Sequence, residues 1–173
     1  MQINVAQLLK WPVGTTRIHP IDAGQIVLDA GSAFTLSGGR VRLDRIPLGV
    51  LARGDVEGDL DQECGRCLEM FRAPLKVHFE EQFAPLIDVA TGAALLPPDD
   101  ELTFVIDENH ILDLTEAIRQ NGIASLPINP RCAETCAGLC VICGGNRNFH
   151  YCTCVEDEEE ANHPFAALRS LLN

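Results

Sequence analysis

Six of the eight cysteines in this chain fall between Cys132 and Cys154. Thiolates bind soft and borderline metal ions, attack electrophiles or exchange electrons, so their spacing has to be read for one of these chemistries. Cys140 and Cys143 form C-x-x-C followed by Gly144 and Gly145. That is the pattern of a zinc knuckle: two thiolates on one tight turn, with glycine letting the backbone curl so that amides face sulfur. A tetrahedral site needs two further ligands, and Cys152 and Cys154 are the expected pair. On a flat strand C-x-C sends its thiols to opposite faces, so either the backbone turns at Thr153 or only one of the two is a ligand. Cys132 and Cys136, four apart, share a face if "RCAETC" is a helical turn; they are alternates for one member of the pair, or part of a second site. The spacings match no ferredoxin pattern. His150 is a substitute ligand on paper, and a plain surface imidazole on the simpler reading.

Four thiolates fill a tetrahedral shell, whereas catalytic zinc keeps a position for water and takes His or carboxylate ligands. The expected zinc is therefore structural. Its work is to fix a glycine-rich segment with too few apolar residues to hold itself together.

Cys64 and Cys67 form a separate C-x-x-C. Three readings stand: structural or solvent-facing thiols, with Arg66 between them a surface charge or a partner contact; a metal site shared with the later cysteines; or a redox dithiol. Redox activation needs a helix N-terminus at the first thiol, and that context is missing from the sequence. There is no phosphate-cradling loop, no nucleophile elbow and no pairing of a nucleophile with a His base. The five histidines, at 19, 78, 110, 150 and 163, have no ligand spacing. The expectation is a protein that is not an enzyme and has no small-molecule substrate.

The elements that must position these thiols can be read from periodicity. Leu48, Val50, Ala52, Val56, Leu60 and Cys64 share one parity, while Arg53, Asp55, Glu57, Asp59, Asp61 and Glu63 share the other. Period two predicts a half-buried strand. Phe71, Ala73, Leu75, Val77, Phe79 and Phe83 repeat the rule, opposite Arg72, Lys76, His78, Glu80 and Gln82. The two runs are expected to pair as a long antiparallel hairpin with "CGRCLEM" at its tip. "GGRVRLDRIPLGV" and "DAGQIVLDAGS" predict further strands, 87–100 a loop around Pro97 and Pro98, and "LTFVID" a short strand. Asp113 and Glu116 have capping-box spacing for a helix over about 113–125 that stops before Pro127. Its buried side should carry Leu114, Ala117, Ile118 and Ile123 or Leu126, and Gly122 should loosen it at a cost of about 1 kcal/mol. Pro164 opens a short terminal helix with Phe165, Leu168, Leu171 and Leu172 at helical spacing.

The predicted fold class is α+β: an antiparallel β-rich core over 1–129, a Cys-rich segment over 130–155 of the same domain, and an acidic linker with a terminal helix over 156–173. The length of 173 residues suits one domain. Hydrophobic residues at 46% and charged residues at 22% are globular values. No apolar run approaches a membrane span, and the opening lacks a secretory pattern, so a cytoplasmic protein without a membrane partner is expected. A reducing cytosol favours metal over disulfides for clustered cysteines. The formal charge of −12 disfavours broad attraction to nucleic acid and favours basic protein partners.

Taken in order, "INVAQLLKWPVGTTR", "ECGRCLEMF", "FEEQF", "ILDLTEAIRQ", "LPINPRC", "CAGLCVICGGNRN", "CTC" and "HPFAALRSLL" resemble the YceD family of large ribosomal RNA accumulation proteins. The resemblance implies a role in accumulation or processing of large-subunit ribosomal RNA, without an established catalytic activity. It also implies a place in ribosome assembly and a ribosomal protein or rRNA-processing factor as partner, with the RNA itself a further candidate. Some members lack the second cysteine cluster, which implies that metal there braces structure. The rival from another class is the redox dithiol at Cys64 and Cys67; a metal-dependent nuclease is disfavoured by the missing His and carboxylate ligands.

Overall fold

A computed structural model of the chain describes residues 1–29, 32–96 and 103–154. The predicted terminal helix and acidic linker of 156–173, and Pro97 and Pro98 of the loop, lie outside these residues.

Among the described residues eight strands and two helices follow one another as β1 (Gln2–Asn4), α1 (Ala6–Lys10), β2 (Thr16–Ile21), β3 (Gly24–Asp29), β4 (Ser32–Ile46), β5 (Gly49–Glu63), β6 (Met70–Pro85), β7 (Phe104–Ile106), β8 (Ile111–Asp113) and α2 (Thr115–Ala124). All strands join one curled sheet in the order β1-β8-β7-β6-β5-β4-β2, with β3 also on β4. One pair departs from the antiparallel expectation: β7 runs parallel to β6, Phe83 facing Phe104.

The hairpin expected from parity is the β5–β6 pair, in register from Val50↔Phe83 to Glu63↔Met70. Inward residues Val50, Ala52, Val56 and Leu60 meet Phe83, Phe79, Val77 and Leu75 in the core. Leu48 alone leaves the pattern, exposed in the β4–β5 turn. Gly54 occupies an inward position opposite Phe79 because a Cβ there would overlap the Phe79 ring. On the outer face Arg53 pairs with Glu80 at 3.0 Å and Arg72 with Asp59 at 3.5 Å. Each such exposed pair contributes about 0.2 to 1 kcal/mol, so the buried apolar face holds the hairpin.

The "DAGQIVLDAGS" and "GGRVRLDRIPLGV" strands are β3 and β4. β4 carries β3 along its first half and β2 along its second, with a bulge between Leu36 and Gly38. The two helices close the inner face, α1 through Leu8 and Leu9, α2 through Ala117 and Ile118.

The capping box does not form, since Leu114 is the N-cap and no side chain caps the helix. Asp113 accepts the Thr115 N–H at 2.9 Å, but Glu116 turns along the helix to Arg119 rather than back to Asp113. Gly122 is a close approach rather than a weak point, since a Cβ there would lie 2.9 Å from Leu28 of β3. Among the described residues no helix is long and apolar enough to cross a membrane.

Candidate metal centre

Two groups of four sulfurs form at one end of the sheet. Cys64, Cys67, Cys132 and Cys136 make one, Cys140, Cys143, Cys152 and Cys154 the other, and in each all four Sγ atoms lie within 4.8 Å of one another. The first group begins at the hairpin tip. Cys64 ends the inward row of β5, and the chain reverses through Leu68 at φ 60° with Leu68 N–H donating to Cys64 O and Cys64 N–H to Glu69 O. Behind it, the segment from Asn129 runs alongside: Gly65 N–H donates to Pro130 O at 2.8 Å and Leu139 N–H to Arg66 O at 3.1 Å. Gly138, at φ 72°, lies against the Arg66 backbone, where a Cβ would crowd the carbonyl.

Sulfur spacing identifies what these groups are shaped to do. Cys64 and Cys136 are 3.9 Å apart and Cys67 and Cys132 3.7 Å; Cys143 and Cys152 are 3.5 Å apart and Cys140 and Cys152 3.4 Å. A tetrahedron with zinc–sulfur bonds of about 2.3 Å has sulfur–sulfur edges of about 3.8 Å. A disulfide requires about 2.05 Å. Either group could therefore hold a tetrahedral metal ion.

Hydrogen bonds aim at the sulfurs as a thiolate site requires. Cys132 N–H donates to Cys64 Sγ, Asn148 Nδ2 to Cys136 Sγ and Cys154 N–H to Cys152 Sγ, each at 3.4 Å. The Cys132 amide, joined by those of Arg66 and Cys67, outweighs burial and lowers the Cys64 thiol to about 6. In the other group the amides of Cys143 and Ile142 lower Cys140 to about 6. Two other thiols move the opposite way: burial and its sulfur neighbours push Cys132 up to about 12, and the Cys152 and Cys143 sulfurs push Cys154 up to about 12. Four thiolates this close cannot all ionise on mutual repulsion alone, and a divalent cation removes that repulsion.

The groups differ in setting. Cys64, Cys67 and Cys136 are buried at 0%, 3% and 3% exposure and form a small cluster of their own with Phe71, separate from the main core. Cys140 is buried, but Cys143 and Cys154 are exposed.

The structure brings together the four cysteines expected in the knuckle, and both C-x-C sulfurs converge on the group. Cys132 and Cys136 are not alternates for that group; they face Cys64 and Cys67. Nor are Cys64 and Cys67 free for partner contact or for a disulfide substrate, because both sulfurs are buried among the other two. Arg66 alone of that trio is exposed. His150 lies on the exposed loop, outside both groups. Of the three readings of Cys64 and Cys67, the grouping matches the site shared with later cysteines, a partnership that spacing alone left open although Cys64 falls on the buried parity that runs along β5.

Several basic residues do converge: Arg42 faces Arg53 across the β4–β5 pair, and Arg40 lies beside them with Lys76 and His78 close by. Arg45 turns its guanidinium to the carbonyls of Leu9, Ile46 and Gly49, and Arg42 and Arg53 both bind Asp44.

Comparison with known proteins places the chain. The family described as large ribosomal RNA subunit accumulation protein YceD matches residues 52–172, a span that includes most of the hairpin and all eight cysteines. Uncharacterized protein Rv2926c of Mycobacterium tuberculosis is 31% identical over 151 residues, 83% of this chain and 69% of that protein. Uncharacterized protein Mb2951c of Mycobacterium bovis matches equally. Uncharacterized protein ML1660 of Mycobacterium leprae is 27% identical over 119 residues, 69% of this chain and 51% of that protein. No solved structure matches. The chain belongs to the YceD family of large ribosomal RNA subunit accumulation proteins.

Proposed function

We propose that this chain is a non-catalytic cytoplasmic ribosome-biogenesis factor that supports accumulation or processing of large-subunit ribosomal RNA. It acts by contact with a basic ribosomal protein or processing factor, and structural zinc at Cys140, Cys143, Cys152 and Cys154 braces its Cys-rich segment. The family match supports the RNA pathway. The observation that supports the mode of action is an acidic row on β5 beside arginines that are partly paired within the chain. Arg42, Arg53, Arg72 and Arg119 are all spent on carboxylates of the same chain, while Glu57, Asp61 and Glu63 project from the outer face of β5 without an ion pair among the described residues. Four thiolates exceed the charge of a zinc ion by roughly two, so the Cys-rich end would be negative as well. The row of Glu57, Asp61 and Glu63 offers counter-charge to a basic protein rather than to an RNA backbone.

Capture of partners on the full chain, with and without nuclease, tests this reading. Ribosomal proteins should remain bound after nuclease treatment. Loss of every ribosomal partner would make RNA the primary ligand and overturn the reading.

A further inference from the structure

The buried sulfur group has no part in the knuckle, yet it joins pieces of chain that the knuckle does not. We infer that Cys64, Cys67, Cys132 and Cys136 hold a second divalent, thiophilic cation of the zinc class, and that this site fastens the Cys-rich segment to the sheet.

Three observations converge on the site. The two measured sulfur–sulfur edges, 3.9 and 3.7 Å, bracket the edge of a zinc tetrathiolate, about 3.8 Å. Hydrogen-bond donors from outside the C-x-x-C turn, Cys132 N–H and Asn148 Nδ2, are already aimed at two of the sulfurs. The surrounding cluster contains one apolar partner, Phe71, so packing alone is a poor substitute for a metal.

The sites also differ in what they tie. Cys67 and Cys132 are 65 residues apart and Cys64 and Cys136 are 72 apart, whereas Cys143 and Cys152 are nine apart. The buried site therefore closes a long loop between sheet and segment, and the exposed site closes a local turn. Asn148 couples them, because it lies within the outer knuckle's loop and donates to a sulfur of the buried site. Losing the buried metal should release the segment from the hairpin; losing the outer metal should loosen only the knuckle. Burial should also make the first metal the slower to leave.

The test is zinc counting by native mass spectrometry on the full chain, wild type beside Cys136→Ser and Cys143→Ser. The wild type should carry two zinc ions and each variant one. A coloured chelator should strip the wild type in two phases, and the slow phase, at least tenfold slower, should persist in Cys143→Ser and vanish in Cys136→Ser. Cobalt titration of the wild type guards against a variant that fails to fold: thiolate-to-cobalt absorption should rise to two equivalents. A wild type that saturates at one equivalent, with metal lost in Cys143→Ser and kept in Cys136→Ser, would overturn the second site. One equivalent lost only in Cys136→Ser would instead remove the outer zinc from the proposed function and leave the buried site standing.

Discussion

Cys64 and Cys136, 72 residues apart in the chain, bring their sulfurs within 3.9 Å of each other at the tip of the β5–β6 hairpin. Their cluster is separate from the main core, which is sealed by Phe34, Phe79, Phe83 and the helix residues Ala117 and Ile118. With metal bound at the proposed sites, stability of the sheet and order of the Cys-rich segment would rest on two physical sources, apolar burial and metal ligation. Chelation should leave the sheet folded, with unchanged strand circular dichroism, while amide exchange and proteolysis rise across 130–154. Unfolding of the sheet on chelation would contradict that division.

Gly54 and Phe79 form one inward cross-strand pair. Gly54→Ala should destabilise the protein by about 1 to 3 kcal/mol in chemical denaturation, because the overlapped ring is fully buried and cannot swing away. Zinc content should not change.

Asp44 accepts from the Thr16 hydroxyl at 2.5 Å and pairs with Arg42 at 2.9 Å and Arg53 at 3.3 Å. Burial alone would raise its pKa, but these bonds and charges hold it below the ordinary 3.8. A depressed carboxylate contributes stability that is fully present above the unfolded value and is lost as pH falls through the folded one. Asp44→Asn should therefore cost about 1 to 2 kcal/mol at neutral pH, the modest end for charged hydrogen bonds because both arginines are partly exposed. The gap from wild type should narrow below the ordinary carboxylate value.

Glu57 and Asp61 project from the outer face of β5. If that face receives a basic partner, Glu57→Lys with Asp61→Lys should weaken capture of the ribosomal partner about tenfold and flatten its salt dependence, with little change in stability. Unchanged capture would move the interface elsewhere on the chain.

The hairpin was legible because its parity persists over fifteen residues in β5, long enough to outweigh any local exception. Helix α2 was legible through Asp113 and the stop before Pro127. The N-terminal elements left no such mark. β1 has three residues and pairs with β8, Ile3 opposite Leu112, so its signal lies in a distant strand rather than in its own sequence. α1 spans five residues, too short for a helical period to declare itself. The same physics divides the metal sites. The knuckle's four cysteines lie within one short stretch, and the glycines after Cys143 mark the turn. The buried group draws its second pair from a segment 65 and 72 residues further along the chain, and local spacing carries no record of that pairing. Two signals did exist: Cys64 on the buried parity of β5, and eight cysteines that divide evenly between two C-x-x-C turns.

The account rests on metal ions whose shells are filled by sulfur and therefore brace the structure rather than perform chemistry. Zinc X-ray absorption on the purified full chain tests this most directly. It should report four sulfur neighbours at about 2.3 Å and no lighter scatterer. An oxygen or nitrogen neighbour in the first shell, the mark of an open position holding water, would contradict it.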